Sequence, residues 1–484
     1  MTAFTTNPRM PHPPPDNGPG AADRMTLIDR GFAARSSGAA PPATILGIGL
    51  SAADIEAIER SNQDGPLRAI LVNGPEVEHG DTCDPQWAAA KILQALSSRS
   101  IRLDGIVSCD DYPCCLVASY IAQRLQLASP SLLSLLLLQH KYWSRTIQAR
   151  TVAAHTPGFD AIDLRTHARV RGHALGFPCW VKPIKSSMSF LALRATTPEQ
   201  LSWNLRAINE RMNGFQFAFN TSIGALIAMP AGLPAMDGEH AIVEEELKGH
   251  QVTLEGYVTR GQTTALGVVD SYRMPNRRSF ARFQYPSRLS RKTQDELSRI
   301  AGVVLADAGF DNGFFNVEFF VDAASRDVKI LEINPRFCSQ FSRLYHLVDG
   351  EYSHRALVAL ALGRPIAHKR GQGAHRMAAC FVLRRKNDAR VVRVPTADEI
   401  RTVERLHPGS RVDLLCEPGS LLSDYVQDEF SYRYACIYVG ADRRDDLHAR
   451  HARIRDRLTF GFDPREAPER APASSPITAS TRPR

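Results

Sequence analysis

The sequence has few of the patterns that mark redox, dinucleotide-binding or covalently acting proteins. Its 484 residues include nine scattered cysteines with no CxxC pair among them. An odd number of cysteines without such spacing predicts reduced, buried thiols, and for the adjacent Cys114 and Cys115 packing is preferred over redox activity. No GxGxxG sequence supports a dinucleotide site. The sequence also shows no Ser/His or Cys/His constellation of the kind that activates a nucleophile.

Long apolar runs are missing too. The N-terminus lacks the apolar segment of a signal peptide, and the run from Leu132 to Leu138 is far too short to cross a bilayer. We therefore expect a cytoplasmic protein with no membrane partner. A hydrophobic fraction of 43% and a charged fraction of 23% are those of an ordinary globular protein. The chain is long enough for about three domains.

Lysine is scarce in a basic chain. Nine lysines accompany fifty arginines, and the net charge is +8. Few of these residues form patches with interleaved aromatic residues, so we expect no nucleic-acid partner. Where arginine is the usual cation, a lysine marks a position that needs a compact point charge. This reasoning selects Lys141, Lys182 and Lys185 as candidates.

Strands and helices alternate three times from residue 43, which predicts a small doubly wound α/β unit with a parallel sheet. Asp110 and Asp111 follow the carboxyl end of its third strand, where such sheets bind ligands, although a helix cap is the preferred interpretation of these two residues. Proline, glycine and alanine dominate residues 1–42, and a similar composition returns beyond residue 463. We expect both ends to be disordered.

The C-terminal half is richer in strand patterns. Residues 274–291 carry five arginines and are predicted to be irregular. Arg282 and Arg288 are candidates to guide or bind a carboxylate, and a solvated surface is the equal alternative for this stretch. From about His375, strand patterns accompanied by two helices predict a small α+β domain. We expect Asp424, Asp428 and Arg433 of this domain to form internal salt bridges rather than to act in catalysis.

The stretch from Phe314 to Phe337 combines two strand-like runs, FFNVEFFVD and VKILEIN, around the polar tip AASRD. This pattern predicts a β-hairpin. In a symmetric hairpin Glu318 lies opposite Glu332, and Asn334 shares the face of Glu332. Opposed carboxylates among apolar residues repel each other unless a divalent cation relieves them, and such hard oxygen ligands suit Mg²⁺ or Mn²⁺. An ordinary hairpin with both glutamates in solvent is the alternative.

Five segments occur in an order that resembles the ATP-grasp superfamily. They are HKYWSR, FPCWVKPIKSSMS, IVEEELKGHQVTLEG, NVEFFV and ILEINPR. The resemblance covers about residues 44 to 365, and the last domain is similar to those beside the active site in the carboxylate–amine ligase and biotin carboxylase branches. It implies α/β and α+β architecture. The predicted division is 1–42 disordered, 43–127 pre-ATP-grasp α/β domain, 128–368 ATP-grasp domain with a mobile lobe at about 175–247, 369–463 C-terminal α+β domain and 464–484 disordered tail.

The resemblance also implies roles for particular residues, because phosphoryl transfer needs positioned positive charge and a metal on the phosphates. The residues that would contact ATP are Lys141, Lys182, Lys185, Ser187, Glu244, Glu245, Leu247 and Glu255. The residues that would hold Mg²⁺ or Mn²⁺ are Glu318, Glu332 and Asn334. The residues that would act in catalysis are Arg336, Lys182 and Arg288. Glu255 is included because this chain has Gln251 where many relatives carry a glutamate.

One loop departs from the family pattern. Relatives usually have glycines after the strand lysine, so that backbone N–H groups approach the phosphates, whereas this chain has KSSMS at residues 185–189. Either this is a branch with its own loop, which we favour, or ATP binding is impaired.

The function that the resemblance implies is an ATP-dependent ligase that activates a carboxylate as an acyl phosphate and joins it to an amine. The expected partners are small-molecule carboxylate and amine substrates. Whether the protein forms a homodimer is left open by the resemblance. A biotin-carboxylase-like reaction with bicarbonate is one alternative. A nucleotide-binding module that has lost catalysis is the other.

Overall fold

A computed structural model describes the fold over most of the chain. The described residues are 25–32, 41–62, 64–73, 84–167, 169, 175–186, 189–212, 215–225, 232–276, 278–425, 427–428 and 430–463. The disorder predicted for residues 1–24, 33–40 and 464–484 falls outside these ranges, as does Ser187, which the resemblance places beside ATP.

The first unit is a four-stranded sheet with helices on both faces. Its strands in spatial order are β1 (Thr26–Phe32), β3 (Leu67–Asn73), β2 (Ala43–Ile48) and β4 (Gly105–Ser108). Its helices are α1 (Ala52–Ser61), α2 (Pro85–Ser98) and α3 (Cys114–Leu125). β2 pairs in parallel with β3 and β4. Apolar side chains of α2 and α3 pack on one face and those of α1 on the other, which confirms the predicted doubly wound unit.

β1 contradicts the prediction that residues 1–42 are disordered throughout. This strand pairs antiparallel with the edge of β3. Only Leu27 and Phe32 among its side chains are buried, so the sequence lacks the alternation that identifies a strand. Its backbone covers an edge that would otherwise be open, and Asp29 adds an ion pair to Arg68 at 2.6 Å. The strand therefore depends on its tertiary partner.

Two helices that meet at His140 place the first lysine of the candidate site. α4 (Leu132–Gln139) ends just before His140, and α5 (Lys141–Thr151) begins just after it. The His140 imidazole Nδ1 accepts a hydrogen bond from the Trp143 backbone N–H at 3.2 Å. Burial lowers the pKa of His140 well below its usual value, so the ring is neutral and can accept. Lys141 is thereby held as the first residue of α5.

A second four-stranded sheet carries the lysine strand. Its strands in spatial order are β5 (Phe159–Asp163), β8 (His240–Glu245), β6 (Cys179–Pro183) and β7 (Leu193–Ala195), all paired antiparallel. Its two helices are α6 (Pro198–Arg211) and α7 (Phe215–Gly224). Trp180 lies opposite Glu244 and Lys182 lies opposite Ile242. Lys182 and Glu244 therefore project from the same face.

The largest sheet has eight antiparallel strands. In spatial order they are β13 (Val328–Asn334), β12 (Gly313–Val321), β9 (His250–Thr259), β10 (Gln262–Arg273), β11 (Phe280–Tyr285), β14 (Met377–Arg385), β17 (Tyr432–Ala441) and β16 (Ser410–Leu414). A separate pair is formed by β15 (Arg390–Arg393) and β18 (Gly461–Asp463).

Helices cover both faces of this large sheet. α8 (Arg291–Asp307) and α5 share an apolar core with one face, and α9 (Ser339–Asp349) and α10 (His354–Ala361) lie on the other face beside the first unit. α11 (Ala397–Leu406) and α12 (Arg444–Arg455) pack on the C-terminal strands. Within the described part of the chain, no helix is both long and apolar enough to cross a membrane.

The large sheet crosses the boundary predicted between residues 368 and 369. β11 pairs with β14, so the C-terminal strands extend the central sheet instead of forming one of their own. β11 also contradicts the irregular structure predicted for residues 274–291. The strand was not predicted because its arginines interrupt the apolar pattern. Within the strand, the Arg282 guanidinium lies 4.0 Å from the centre of the Tyr272 ring.

The salt bridges found in the C-terminal part include residues outside the predicted set of Asp424, Asp428 and Arg433. Asp428 pairs with Arg384 at 2.5 Å, a residue that the prediction did not include. The Asp424 carboxylate instead accepts a hydrogen bond from the Leu421 backbone N–H at 2.8 Å. The negative charge of Asp428 does lie close enough to Arg433 to oppose the lowering of its pKa by burial.

Candidate active site

The hairpin has the register that its sequence predicts. Glu318 lies opposite Glu332 and Asn316 lies opposite Asn334, with an irregularity in the register between Glu318 and Phe319. The two carboxylates and Asn334 line a large cleft of about 2440 Å³ between the first unit, the lysine-bearing sheet and the large sheet. The plain hairpin with both glutamates in open solvent does not describe this arrangement.

Glu332 is paired with the lysine that begins α5. Lys141 Nζ lies 3.1 Å from Glu332 Oε1 and also donates to the Ser186 carbonyl at 3.1 Å. Burial opposes ionisation of Glu332, but the charges of Lys141 and Lys182 outweigh it and lower the pKa of this carboxyl. Burial, together with the neighbouring lysines, lowers the pKa of Lys141 in turn.

Glu318 has a neutral partner instead. The Gln251 Nε2 amide donates to Glu318 Oε2 at 2.6 Å, and its Oε1 accepts from Arg273 Nε at 3.1 Å. Burial and the charge of Glu332 raise the pKa of Glu318. A divalent cation between the two carboxylates would offset both the burial of Glu318 and its repulsion by Glu332. The donor set of two carboxylates and an amide oxygen suits Mg²⁺ or Mn²⁺.

Glu244 joins the lysine strand to α5. Its carboxylate lies 2.6 Å from Lys182 Nζ and 2.6 Å from Arg145 Nε. Arg145 also donates to the backbone carbonyls of Ile330 at 2.9 Å and Leu331 at 2.6 Å, both on β13. Burial opposes ionisation of Glu244, but the two cations lower its pKa to about 2. The segment HKYWSR contained a signal for Arg145, because it stands one helical turn after Lys141, but sequence reasoning missed it.

Lys185, in the loop after β6, contacts the first unit. Lys185 Nζ lies 3.6 Å from Asp111 Oδ1 and 5.5 Å from the centre of the Tyr112 ring. Pro113 occupies the N-cap of α3, and no side chain in the described part of the chain caps that helix, so the preferred helix-cap role of Asp110 and Asp111 is wrong. Both aspartates line the cleft. In the glycine-free loop, Ser189 adopts a φ of 59°, the left-handed conformation that favours glycine.

Arg336 follows the hairpin and lines the cleft. Burial alone would lower the pKa of its guanidinium, but surrounding negative groups, among them Asp111 and Glu318, raise it. Glu245, the last residue of β8, and Leu247 also line the cleft. These positions agree with the roles that the resemblance implies, while contact with a nucleotide stays a prediction.

Two predicted site residues lie elsewhere. Glu255 is fully buried, accepts a hydrogen bond from the Cys338 backbone N–H at 3.2 Å and is absent from the described lining of the cleft. Burial raises its pKa to about 8. Arg288 is exposed and also absent from that lining. Glu255 lies on the same face of β9 as Gln251 but four residues further along the strand, where the segment at Cys338 covers it. The positions of Glu255 and Arg288 do not support the contacts predicted for them.

The sequence of residues 175–343 matches the family described as the ATP-grasp domain. The chain has an ATP-grasp domain. The match begins at the lysine strand and ends just beyond the hairpin, so it contains Lys182, Glu244, Glu318 and Glu332. No curated protein is similar enough in sequence to match the chain.

Solved structures extend the ATP-grasp fold over most of the chain. The L-amino acid ligase of Bacillus licheniformis is 14% identical, with a TM-score of 0.67 over 87% of this chain and 99% of that one. The carboxyaminoimidazole ribonucleotide synthase of Aspergillus clavatus, solved with ATP, is 12% identical, with a TM-score of 0.58 over 86% and 98%. The biotin carboxylase domain of the Hydrogenobacter thermophilus 2-oxoglutarate carboxylase, solved with MgADP, ADP and bicarbonate, is 13% identical, with a TM-score of 0.54 over 87% and 85%.

Proposed function

We propose that this ATP-grasp protein is an ATP-dependent ligase that joins a carboxylate to an amine. The observation that carries the proposal is the convergence of two kinds of group in one cleft. Lys141 and Lys182 supply compact positive charge, and Lys141 lies 3.1 Å from Glu332, one of two opposed carboxylates. Positioned cations beside a divalent-metal site are what transfer of a γ-phosphoryl group requires.

Each half of the site has a task in this proposal. Lys141, Lys182 and Lys185 hold the phosphates of ATP, a role that the family resemblance also implies for Ser187. The backbone from Glu244 to Leu247 contacts the adenine, while the Glu244 side chain positions Lys182 through their 2.6 Å contact.

Mg²⁺ or Mn²⁺ would be held by Glu318, Glu332 and Asn334. When bound, the cation supplies positive charge to the phosphate oxygens.

The chemistry needs no covalent nucleophile on the protein. A carboxylate oxygen of the first substrate attacks the γ-phosphorus of ATP, the bond to ADP breaks, and an acyl phosphate forms. The amine nitrogen then attacks the acyl carbon, the carbon–oxygen bond to phosphate breaks, and the amine loses a proton. Arg336 faces the cleft beside the hairpin, where its guanidinium can stabilise the negative charge of the transferred phosphoryl group.

A second candidate is a biotin-carboxylase-like reaction. The biotin carboxylase domain with bound bicarbonate shares the fold over 87% of this chain, which favours bicarbonate as the acid in that case. The bicarbonate would be phosphorylated in the same way, and a ureido nitrogen of biotin would replace the amine.

A screen of ATP turnover with pairs of carboxylates and amines tests the proposal. We expect ADP release that depends on both substrates, an acyl hydroxamate when hydroxylamine replaces the amine, and loss of both in Glu332→Gln. Glu210→Gln is the matched control, because it is the same change at an exposed position of α6 that is absent from the described cleft lining. ADP release driven by bicarbonate and biotin would support the second candidate. ATP binding without turnover for any pair would contradict both.

A further inference from the structure

A second cluster of ligand-type side chains lies on the wall of the cleft that the first unit forms. Asp54 of α1, Cys109 after β4 and His354 at the start of α10 are all buried, and one ligand atom from each lies within 4.8 Å of the other two. The Ser339 hydroxyl lies near both the Asp54 carboxylate and the Cys109 thiol, and it is buried without a hydrogen bond to any described residue. Four polar groups from distant parts of the chain therefore converge on one small volume.

Neighbouring groups orient the members of this cluster. His354 Nδ1 lies 2.8 Å from Ser342 Oγ, which fixes the ring and leaves Nε2 directed at Asp54 Oδ1, 2.8 Å away. The other carboxylate oxygen, Oδ2, accepts from the Ser51 hydroxyl at 2.6 Å and the Ser51 backbone N–H at 2.8 Å. Metal-binding histidines and carboxylates are held in this way by hydrogen bonds from outside the ligand set.

We propose that Asp54, Cys109 and His354 form a binding site for a thiophilic divalent cation, with Zn²⁺ as the best match. A set of one sulfur, one imidazole nitrogen and one carboxylate oxygen suits Zn²⁺, whereas the oxygen-only set of the hairpin suits Mg²⁺. A thiolate and a carboxylate balance the charge of the ion, and the Ser339 hydroxyl or a water can complete four ligands. This site is independent of the proposed ligase function.

The position of the cluster gives the ion a structural task. Asp54 and Cys109 belong to the first unit, whereas His354 begins α10, a helix from a distant part of the chain that packs against α1 and β4. An ion bound by all three would cross-link segments 300 residues apart. The three residues also line the cleft, so solvent ions have a path to them.

Metal analysis of the full chain tests this site. After treatment with a chelator and dialysis against Zn²⁺, we expect about one zinc per chain. After Co²⁺ replaces zinc, we expect a thiolate-to-cobalt charge-transfer band. Zinc should raise the melting temperature of the unmodified chain, because it binds only the folded state. Absence of retained zinc, or cobalt binding without a thiolate band, would overturn the proposal.

Variants identify the ligands. Cys109→Ser should abolish the cobalt band and weaken zinc binding at least about tenfold, which corresponds to about 1.4 kcal/mol. Cys179→Ser is the matched control, because this thiol is also buried but belongs to a different apolar cluster and is absent from the described cleft lining. Glu332→Gln should keep the bound zinc, which separates this site from the hairpin. A band that persists in Cys109→Ser would place the metal elsewhere, and circular dichroism of that variant without metal shows whether it folds.

Discussion

The two carboxylates of the hairpin differ in their nearest partners, and this difference decides how each responds to protons and metal. Glu332 faces the ammonium of Lys141 and remains charged. Glu318 faces the amide of Gln251, and burial beside Glu332 raises its pKa. A proton on Glu318 competes with a cation, so metal binding weakens as the pH falls toward the raised pKa. Gln251 opposes that protonation because its N–H stabilises the charged carboxylate.

Gln251→Leu should therefore weaken metal binding and make it more sensitive to acid. A hydrogen bond to a charged group contributes on the order of 1.5 kcal/mol, so we expect the Mn²⁺ dissociation constant to rise about tenfold at neutral pH and further below it. Binding can be followed by the electron paramagnetic resonance of free Mn²⁺ across pH.

Gln294→Leu serves as the control for this substitution. The Gln294 amide donates to the Leu289 carbonyl at 2.8 Å and is absent from the described cleft lining. Equal Mn²⁺ affinity in the two variants would show that the Gln251 contact does not orient Glu318.

At the scale of elements, α5 connects the two sheets that flank the cleft. Its first residue reaches the hairpin through Glu332, and Arg145 one turn later contacts both Glu244 of β8 and the carbonyls of β13. The planar guanidinium serves these three acceptors at once, which a single ammonium on a flexible stem does not reproduce. The relative position of Lys182 and Glu332 thus depends on one buried arginine.

Arg145→Lys should lower the stability of the fold and the rate of ATP turnover together. Breaking a buried ion pair costs about 3 to 5 kcal/mol, and the conservative lysine recovers part of it, so we expect a loss of about 2 kcal/mol in urea unfolding. Turnover should fall at least about tenfold, because Lys182 loses its fixed partner.

Arg150→Lys is the comparison on the same helix. Arg150 pairs with Asp307 at 2.5 Å on the protein surface, where such pairs contribute about 0 to 1 kcal/mol. If Arg145→Lys were as stable and as active as Arg150→Lys, the connecting role of Arg145 would be disproved.

Sequence reasoning succeeded where the determining information is local. The register of the hairpin follows from strand periodicity and the symmetry of a short connection, so Glu318 opposite Glu332 was predictable. β1 was missed because only two of its side chains are buried and its pairing depends on β3. Glu255 was assigned to the nucleotide as a carboxylate that could replace the glutamate missing at Gln251, yet it packs under Cys338. Contacts that join distant segments, such as Arg145 to β13, leave no local pattern.

At the scale of the whole molecule, one sheet unites parts that the sequence divides into domains. β11 and β14 pair from Arg282 opposite Phe381 to Tyr285 opposite Ala378, and β17 and β16 continue the sheet beyond them. The C-terminal strands also supply buried side chains, among them Ala378, Cys380 and Val382, to the apolar core shared with α9, α10 and the first unit. Cutting the chain at the predicted boundary would open a sheet edge and expose an apolar face.

A chain that ends at residue 368 should therefore fail to fold as a stable monomer. We expect it to aggregate, or to bind a hydrophobic dye and unfold without a cooperative transition, because the edge of β11 and its core face lose their partners. A chain that ends at Asp463 keeps every described strand and should unfold cooperatively at nearly the temperature of the full protein. Circular dichroism, size-exclusion chromatography and thermal unfolding of the two chains make the comparison. A soluble, cooperatively folded chain of residues 1–368 would show that the C-terminal part is an independent domain attached to a sheet that is complete without it.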